Sequence, residues 1–290
     1  MMQPNFFTTT LLPIVLAIIM FGLGLSLTIA DFKRIMRFPK AAIVGLFCQM
    51  LVLPAFCFAL CLMLNLNNEL SVGMMLLVAT PGGATANLYS HLAKGDLALN
   101  ITLTAINSIL TIITLPAVVY FSMWYFMDAN EQIPLQLKKI IEVFSLVLIP
   151  LAIGMFFKQL LPAFAEKSEK PVKIMSAVFL ILVVFGAFNH ESGNAMNYVI
   201  AIGAATIILN VVSMWTGYLV PLLFKIDRKQ AIAISFEAGI HNGIVAMYTA
   251  TNVLGNSTMA IPAAVYGIVS LIAAAIHTRV LLRLHKQAEG

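Results

Sequence analysis

Apolar runs of roughly 20 residues recur along the whole of this 290-residue chain, and they limit its fold more than any other feature. A helix of that length spans the hydrocarbon core of a bilayer, where backbone polar groups must be satisfied internally. The chain is 61% hydrophobic and 10% charged, whereas a soluble domain is about one-quarter charged. Its mean hydropathy is +0.96. Barrel strands would alternate polar and apolar residues over about ten positions, and these runs do not, so the spans are helices. No hydrophilic domain interrupts them, and the chain reads as one all-α integral membrane unit.

Breaks at charged or Pro/Gly/Asn-rich points predict nine spans, near 11–30, 40–64, 70–91, 97–126, 138–158, 172–189, 196–224, 229–252 and 260–284. Alternate loops then fall on opposite sides. One side receives Lys33, Arg34, Arg37, Lys40, Lys94, Lys158, Lys167, Lys170, Lys173, Lys225, Arg228, Lys229, Arg279, Arg283 and Lys286, fifteen of the seventeen basic residues. Only Lys138 and Lys139 fall on the other, where the loops carry Glu69, Asp128, Glu131 and Glu191. The positive-inside rule makes the basic side cytoplasmic, which puts the N-terminus outside and the C-terminus inside the plasma membrane. The first span has its basic cluster after it, the reverse of a cleaved signal peptide. No large basic domain is present to serve nucleic acid.

Two spans contain helix breakers at mid-depth. The third reads "ATPGGATANLYSHLAKGD", with Pro81, Gly82 and Gly83. The eighth reads "ISFEAGIHNGIVAMYTATN", with Gly239 and Gly243 around His241 and Asn242. Proline removes a backbone donor and glycine weakens a helix, so both spans should unwind there. Backbone freed at membrane depth is tolerated only against protein or a polar cavity, and paired interrupted spans point to a transporter binding site. Spans three and eight lie five apart and run in opposite directions, as an inverted five-span repeat lacking one first helix requires. Spans two to four would mirror spans seven to nine. The interrupted helices would cross at the midplane and offer half-helix N-termini to an anion. The alternative is a pair of kinked helices packed closely through glycine.

Glu237 is the one acidic residue of twelve that falls deep within a span. A central acidic residue costs about 2.5–3.5 kcal/mol on insertion scales. No lysine or arginine lies at matching depth, so Glu237 is either a neutral carboxyl in a polar pocket or a carboxylate sharing Na⁺ or H⁺. Gln49, Thr85, Asn87, Asn100, Thr104 and Asn107 bring oxygen to the same depth, and Asn100 and Thr104 share a helix face. Hard cations favour such oxygens. Asn107 and Asn210 read individually as ties between helices.

Cys48, Cys57 and Cys61 form no CxxC and read as packing residues. The chain has no HExxH, nucleophile elbow, Walker A or dinucleotide fingerprint, which argues against an enzyme. His190 and Glu191 sit in a solvated outer loop, "NHESGN". The "NST" at Asn256 is an outer-side sequon. A channel or heptahelical-type receptor is the alternative class, and it leaves two broken helices in inverted register unexplained.

"PGGATANLYSHLAKGDLALNITLTAINSILTIITLPAVV" and "FEAGIHNGIVA" resemble the bile acid:sodium symporter family in its bacterial branch, and the likeness runs from "MFGLGLSLTIADFKRI" to "AAVYGIVSLIAAA". Bacterial relatives often have ten helices, and loss of the first leaves nine. The resemblance implies a core of crossed, discontinuous helices moving beside a panel. On this chain the panel would comprise 1–37 and 131–192, and the core 38–130 and 193–290. It implies a first sodium site of Asn87, Asn100, Thr104 and Glu237, with Ala86 where relatives often have serine. A second would use Gln49, Glu237, the carbonyls of Ala238 and Ile240, and position 241. Asn242, with Thr85, would face the substrate. Na⁺ is then the coupling ion, no other metal or cofactor is implied, and no protein partner is expected.

The pattern departs at position 241, where relatives typically have glutamine and this chain has His241. Imidazole offers nitrogen rather than a carbonyl oxygen and titrates near neutral pH. Three readings stay open: a second sodium site replaced or proton-modulated, two sites with histidine accommodated, or a packing histidine. The expected function is sodium-coupled symport of an organic anion, bile-acid-like or a small monocarboxylate. The alternative is a proton-coupled carrier using Glu237 and His241.

Overall fold

The computed structural model describes residues 10–128, 137–165, 167, 168, 171 and 195–289. Among them, regular structure is helical apart from one isolated two-residue bridge. Helix α1 (Leu12–Gly24) is followed by α2 (Ile29–Lys33), and the chain bends by 70° between them. The restart is set by Asp31, whose Oδ2 accepts from the Thr28 N–H and hydroxyl, both at 2.7 Å, in a reciprocal cap. Its Oδ1 pairs with Arg34 at 2.7 Å.

The next span is α3 (Pro39–Phe47), a π-helical segment Cys48–Val52 and α4 (Leu53–Met63). Helices α5 (Asn68–Val78) and α6 (Ala84–Leu92) follow, then α7 (Leu97–Phe126) and α8 (Leu137–Leu160). Beyond them lie α9 (Ala195–Leu223), α10 (Arg228–Gly239) and α11 (Gly243–Tyr248), the last continued by a π-helical segment Thr249–Val253. Helix α12 (Ile261–Glu289) completes the chain. Side-chain oxygens of Asn67, Asp96, Asp227 and Asn242 accept N–H groups in the first turns of α5, α7, α10 and α11. Each satisfies donors that a helix start leaves open.

Five described helices are long and apolar enough to cross a membrane, or six with the bent pair. The expected third and eighth spans are each divided into shorter helices. The expected sixth, 172–189, and the "NHESGN" loop lie outside the described residues. Ile113 is 73% exposed and Ile43 65%, whereas Asn100, Thr104 and Asn210 are fully buried. Apolar outside and polar inside suits a lipid surround. Phe58 of α4 packs against Phe121, Tyr125 and Phe126 in the last turns of α7.

Helix α1 packs chiefly against α8. A Cβ on Gly24 would run into the Leu151 carbonyl, and one on Gly154 into that of Phe21, so only glycines allow this approach. Helix α10 is central, in contact with α9, α7, α6, α3 and α12. Every residue from 231 to 250 is buried. At one end of the molecule the Asp96 N–H donates to the Lys229 carbonyl at 2.9 Å, joining two basic turns. At the other, Asn256 donates to Glu69 at 2.7 Å and accepts from the Met259 N–H, so the sequon asparagine serves as a cap.

Candidate cation site

Helix α5 stops where Pro81 can no longer donate, and α6 restarts after Gly83. Helix α10 stops at Gly239 and α11 restarts at Gly243. The two breaks meet each other. Gly82 and His241 form an antiparallel bridge, in which the Gly83 N–H donates to the Ile240 carbonyl at 2.7 Å and the Asn242 N–H to the Pro81 carbonyl at 2.9 Å. Each break therefore satisfies backbone groups that the other leaves free, a requirement at membrane depth.

Glu237 lies one turn before its own break, with its carboxylate against Gly82. A Cβ at Gly82 would overlap the Glu237 carboxyl group, so glycine is needed here for close approach rather than for a turn. The Gly82 backbone N–H also faces that carboxylate. The Thr104 hydroxyl donates to Glu237 Oε2 at 2.5 Å, and Asn107 Nδ2 donates to Oε1 at 3.0 Å. The same Nδ2 reaches Gln49 Oε1 at 2.6 Å. Gln49 stands in the π-helical segment, a local widening that recurs at functional sites, and its Nε2 lies 3.5 Å from the Thr80 carbonyl. Asn100, one turn before Thr104, donates to the Ala233 carbonyl at 2.7 Å, one turn before Glu237.

Unsatisfied groups define the chemistry. The side-chain oxygens of Asn87, Asn100, Asn107 and Asn210 are buried with no donor. Both ring nitrogens of His241 are likewise buried and unpartnered, with the ring 5.5 Å from that of Tyr266. Most buried polar atoms find partners, and a cation would satisfy acceptors such as these and the buried carboxylate. Among the described residues the ion pair formed is Arg34–Asp31, and no lysine or arginine reaches Glu237. Amide, hydroxyl and carboxylate oxygens form the donor set that Na⁺ takes.

The structure thus joins Thr104 to Glu237 directly and Gln49 to Glu237 through Asn107. Asn100 meets the same helix one turn lower, and Asn87 is buried on α6, which packs against both α7 and α10. Ala86 faces the apolar group of Phe236 and Ile240, and Ala238 is buried in the last turn of α10. The Ile240 carbonyl is engaged by Gly83. Thr85 is half-buried near the start of α6. Asn242 spends its Oδ1 as the cap of α11, accepting from the Val245 N–H at 3.2 Å.

Asn107, expected as a tie between helices, is one, but what it ties together is Gln49 and Glu237. Its spacing of three from Thr104 and seven from Asn100 puts all three on one face and was the available signal. Asn210 Nδ2 and the Tyr266 hydroxyl both donate to the Gly239 carbonyl at 2.8 Å, clamping the end of α10. Ser235 and His277 form a buried pair at 2.7 Å, ringed by Trp215, Tyr218 and Phe236. A lone histidine in an apolar run carries no such signal.

Residues 13–198 match the sodium bile acid symporter family. The chain is 28% identical over 268 residues to the uncharacterized sodium-dependent transporter YocS of Bacillus subtilis, covering 91% of this chain and 81% of that one. It is 26% identical over 251 residues to the probable chloroplastic sodium/metabolite cotransporter BASS1 of Arabidopsis thaliana, covering 86% and 61%. It is also 26% identical over 235 residues to the hepatic sodium/bile acid cotransporter of Rattus norvegicus, covering 80% and 64%. The chain therefore spans somewhat under two thirds of the plant and rat relatives.

Proposed function

The chain belongs to the sodium bile acid symporter family, and from that premise we propose that it carries a small organic anion across the membrane with Na⁺ by alternating access. The observation that carries this reading is a buried Glu237 carboxylate with unspent buried acceptors on the helices packed against its own. Buried, donorless oxygens of Asn87 and Asn100 accompany Thr104 and a carboxylate, with no side-chain cation to meet them. Na⁺ as a co-substrate would take those oxygens and neutralise the carboxylate, which is costly to bury alone.

The anion would bind beside the crossing, near Thr85 and Asn242, where the N-terminal end of α6 presents a positive dipole. A monocarboxylate fits the breadth of the relatives, whose names run from metabolite to bile acid transport. The close α1–α8 pair supports a panel distinct from the core around α10. Alternating access would then move core against panel, with the basic ends cytoplasmic in the plasma membrane. The inverted relation of spans two to four and seven to nine belongs to the same reading, supported by breaks that bond reciprocally.

His241 favours a second reading, in which protons modulate or replace one coupling ion. An unpartnered buried imidazole can accept a proton on its free ring nitrogen where an amide cannot. The test for coupling is uptake into proteoliposomes of labelled pyruvate, lactate and taurocholate under imposed gradients. Accumulation with an inward Na⁺ gradient and none with choline supports symport. Indifference to both Na⁺ and proton gradients points instead to a channel or receptor.

A further inference from the structure

Asn107 Nδ2 stands where two helices aim oxygen atoms at one point. Gln49 Oε1 from the π-helical segment lies 2.6 Å from it, and Glu237 Oε1 from α10 lies 3.0 Å from it. Two oxygens converging in a buried site need either a cation between them or a donor with two protons. A primary amide nitrogen has two, one for each oxygen. We propose that the side-chain amide of Asn107 is a built-in substitute for a second cation and holds this chain to one Na⁺ per transport cycle. The proposal rests on the Na⁺-coupled reading above.

Two further observations agree. The Ile240 carbonyl, a candidate second-site ligand, already accepts from Gly83 at 2.7 Å. His241 brings ring nitrogens rather than an oxygen to that side. The oxygens of Asn87 and Asn100 are buried and unspent, as is Asn107 Oδ1, so what sets the second site apart is the Asn107 Nδ2 standing between Gln49 and Glu237. Turning Asn107 the other way would set three oxygens together, an arrangement stable only around a cation. The two orientations therefore make opposite statements about ion count.

The consequence is electrical. One Na⁺ moving with one monovalent anion transfers no net charge, so membrane potential adds nothing to the driving force. A roughly tenfold Na⁺ gradient then supports at most a roughly tenfold anion gradient.

The deciding experiment counts ²²Na⁺ bound at saturation to the purified full chain and takes the Hill slope of the isotherm. The wild type should bind one ion with a slope near one. Asn107→Ser frees Gln49 Oε1 and Glu237 Oε1 and vacates the space, so the count should rise toward two. Asn107→Asp, close to the native shape, should do the same by adding an oxygen that requires a cation. A wild type that binds two ions overturns the proposal whether or not either variant folds. A folded variant that still binds one ion, or none, overturns the assignment to Asn107. Absence of saturable ²²Na⁺ binding in the wild type overturns the Na⁺-coupled reading itself.

Discussion

At the scale of single residues, the site is a balance between one buried carboxylate and the atoms turned toward it. Thr104 and Asn107 donate to Glu237, while Asn87 and Asn100 hold acceptors in reserve. Asn87→Ala should abolish the Na⁺-dependent rise in melting temperature with little effect on the Na⁺-free protein, since its oxygen bonds to nothing there. Asn100→Ala should also lose the rise and melt lower without Na⁺, because the bond to the Ala233 carbonyl goes with it, at about 1 kcal/mol. His241→Gln tests the proton reading: Na⁺-driven uptake measured from about pH 5.5 to 8.5 should lose its pH dependence, as that range brackets the ordinary histidine transition. Identical wild-type and variant profiles would leave His241 a packing residue. Glu237 is readable in sequence because a lone carboxylate in a long apolar run has few explanations. Asn107 is read less well, since an amide in a helix is ordinarily glue between helices. His277 is not readable at all, because its partner Ser235 is 42 positions away.

At the scale of elements, helix breaks are local chemistry and their pairing is not. Pro81 and the glycines announce both interruptions, since proline and glycine carry their backbone consequences wherever they stand. That Gly83 bonds to Ile240 and Asn242 to Pro81 depends on where two distant helices pack, which no local pattern encodes. The π-helical segments at Cys48–Val52 and Thr249–Val253 are equally silent, because a π turn uses ordinary helix formers. Two glycine substitutions separate these roles. Gly82→Ala drives a methyl into the Glu237 carboxyl group and should destabilise by about 1–3 kcal/mol while removing the Na⁺ response. Gly154→Val forces α8 away from α1 and should lower the melting temperature by a comparable amount. Its Na⁺ response should survive, because neither helix contributes to the oxygen cluster. Loss of that response on Gly154→Val would mean that α1 and α8 bear on the site after all.

For the whole molecule, hydropathy and charge set the frame: a multi-pass helical membrane protein of a sodium-coupled transporter family. The positions of the long spans follow from composition alone, as helices at Pro39–Met63, Leu97–Phe126 and Thr258–Leu284 show. Which span is innermost does not, since all are apolar. Only packing reveals that residues 231 to 250 are buried without interruption, so that α10 can hold a carboxylate out of contact with lipid. The central claim is that this interior holds Na⁺ at Glu237, and ligand-induced stabilisation tests it most directly. Na⁺ at about ten times its Kd adds roughly 1.4 kcal/mol, or roughly 2 °C in melting temperature for a chain of this size. Thermal unfolding of the detergent-purified protein in NaCl against choline chloride at matched ionic strength should show that rise in the wild type and none in Glu237→Gln. Equal rises in both proteins, or no rise in the folded wild type at saturating Na⁺, would contradict it.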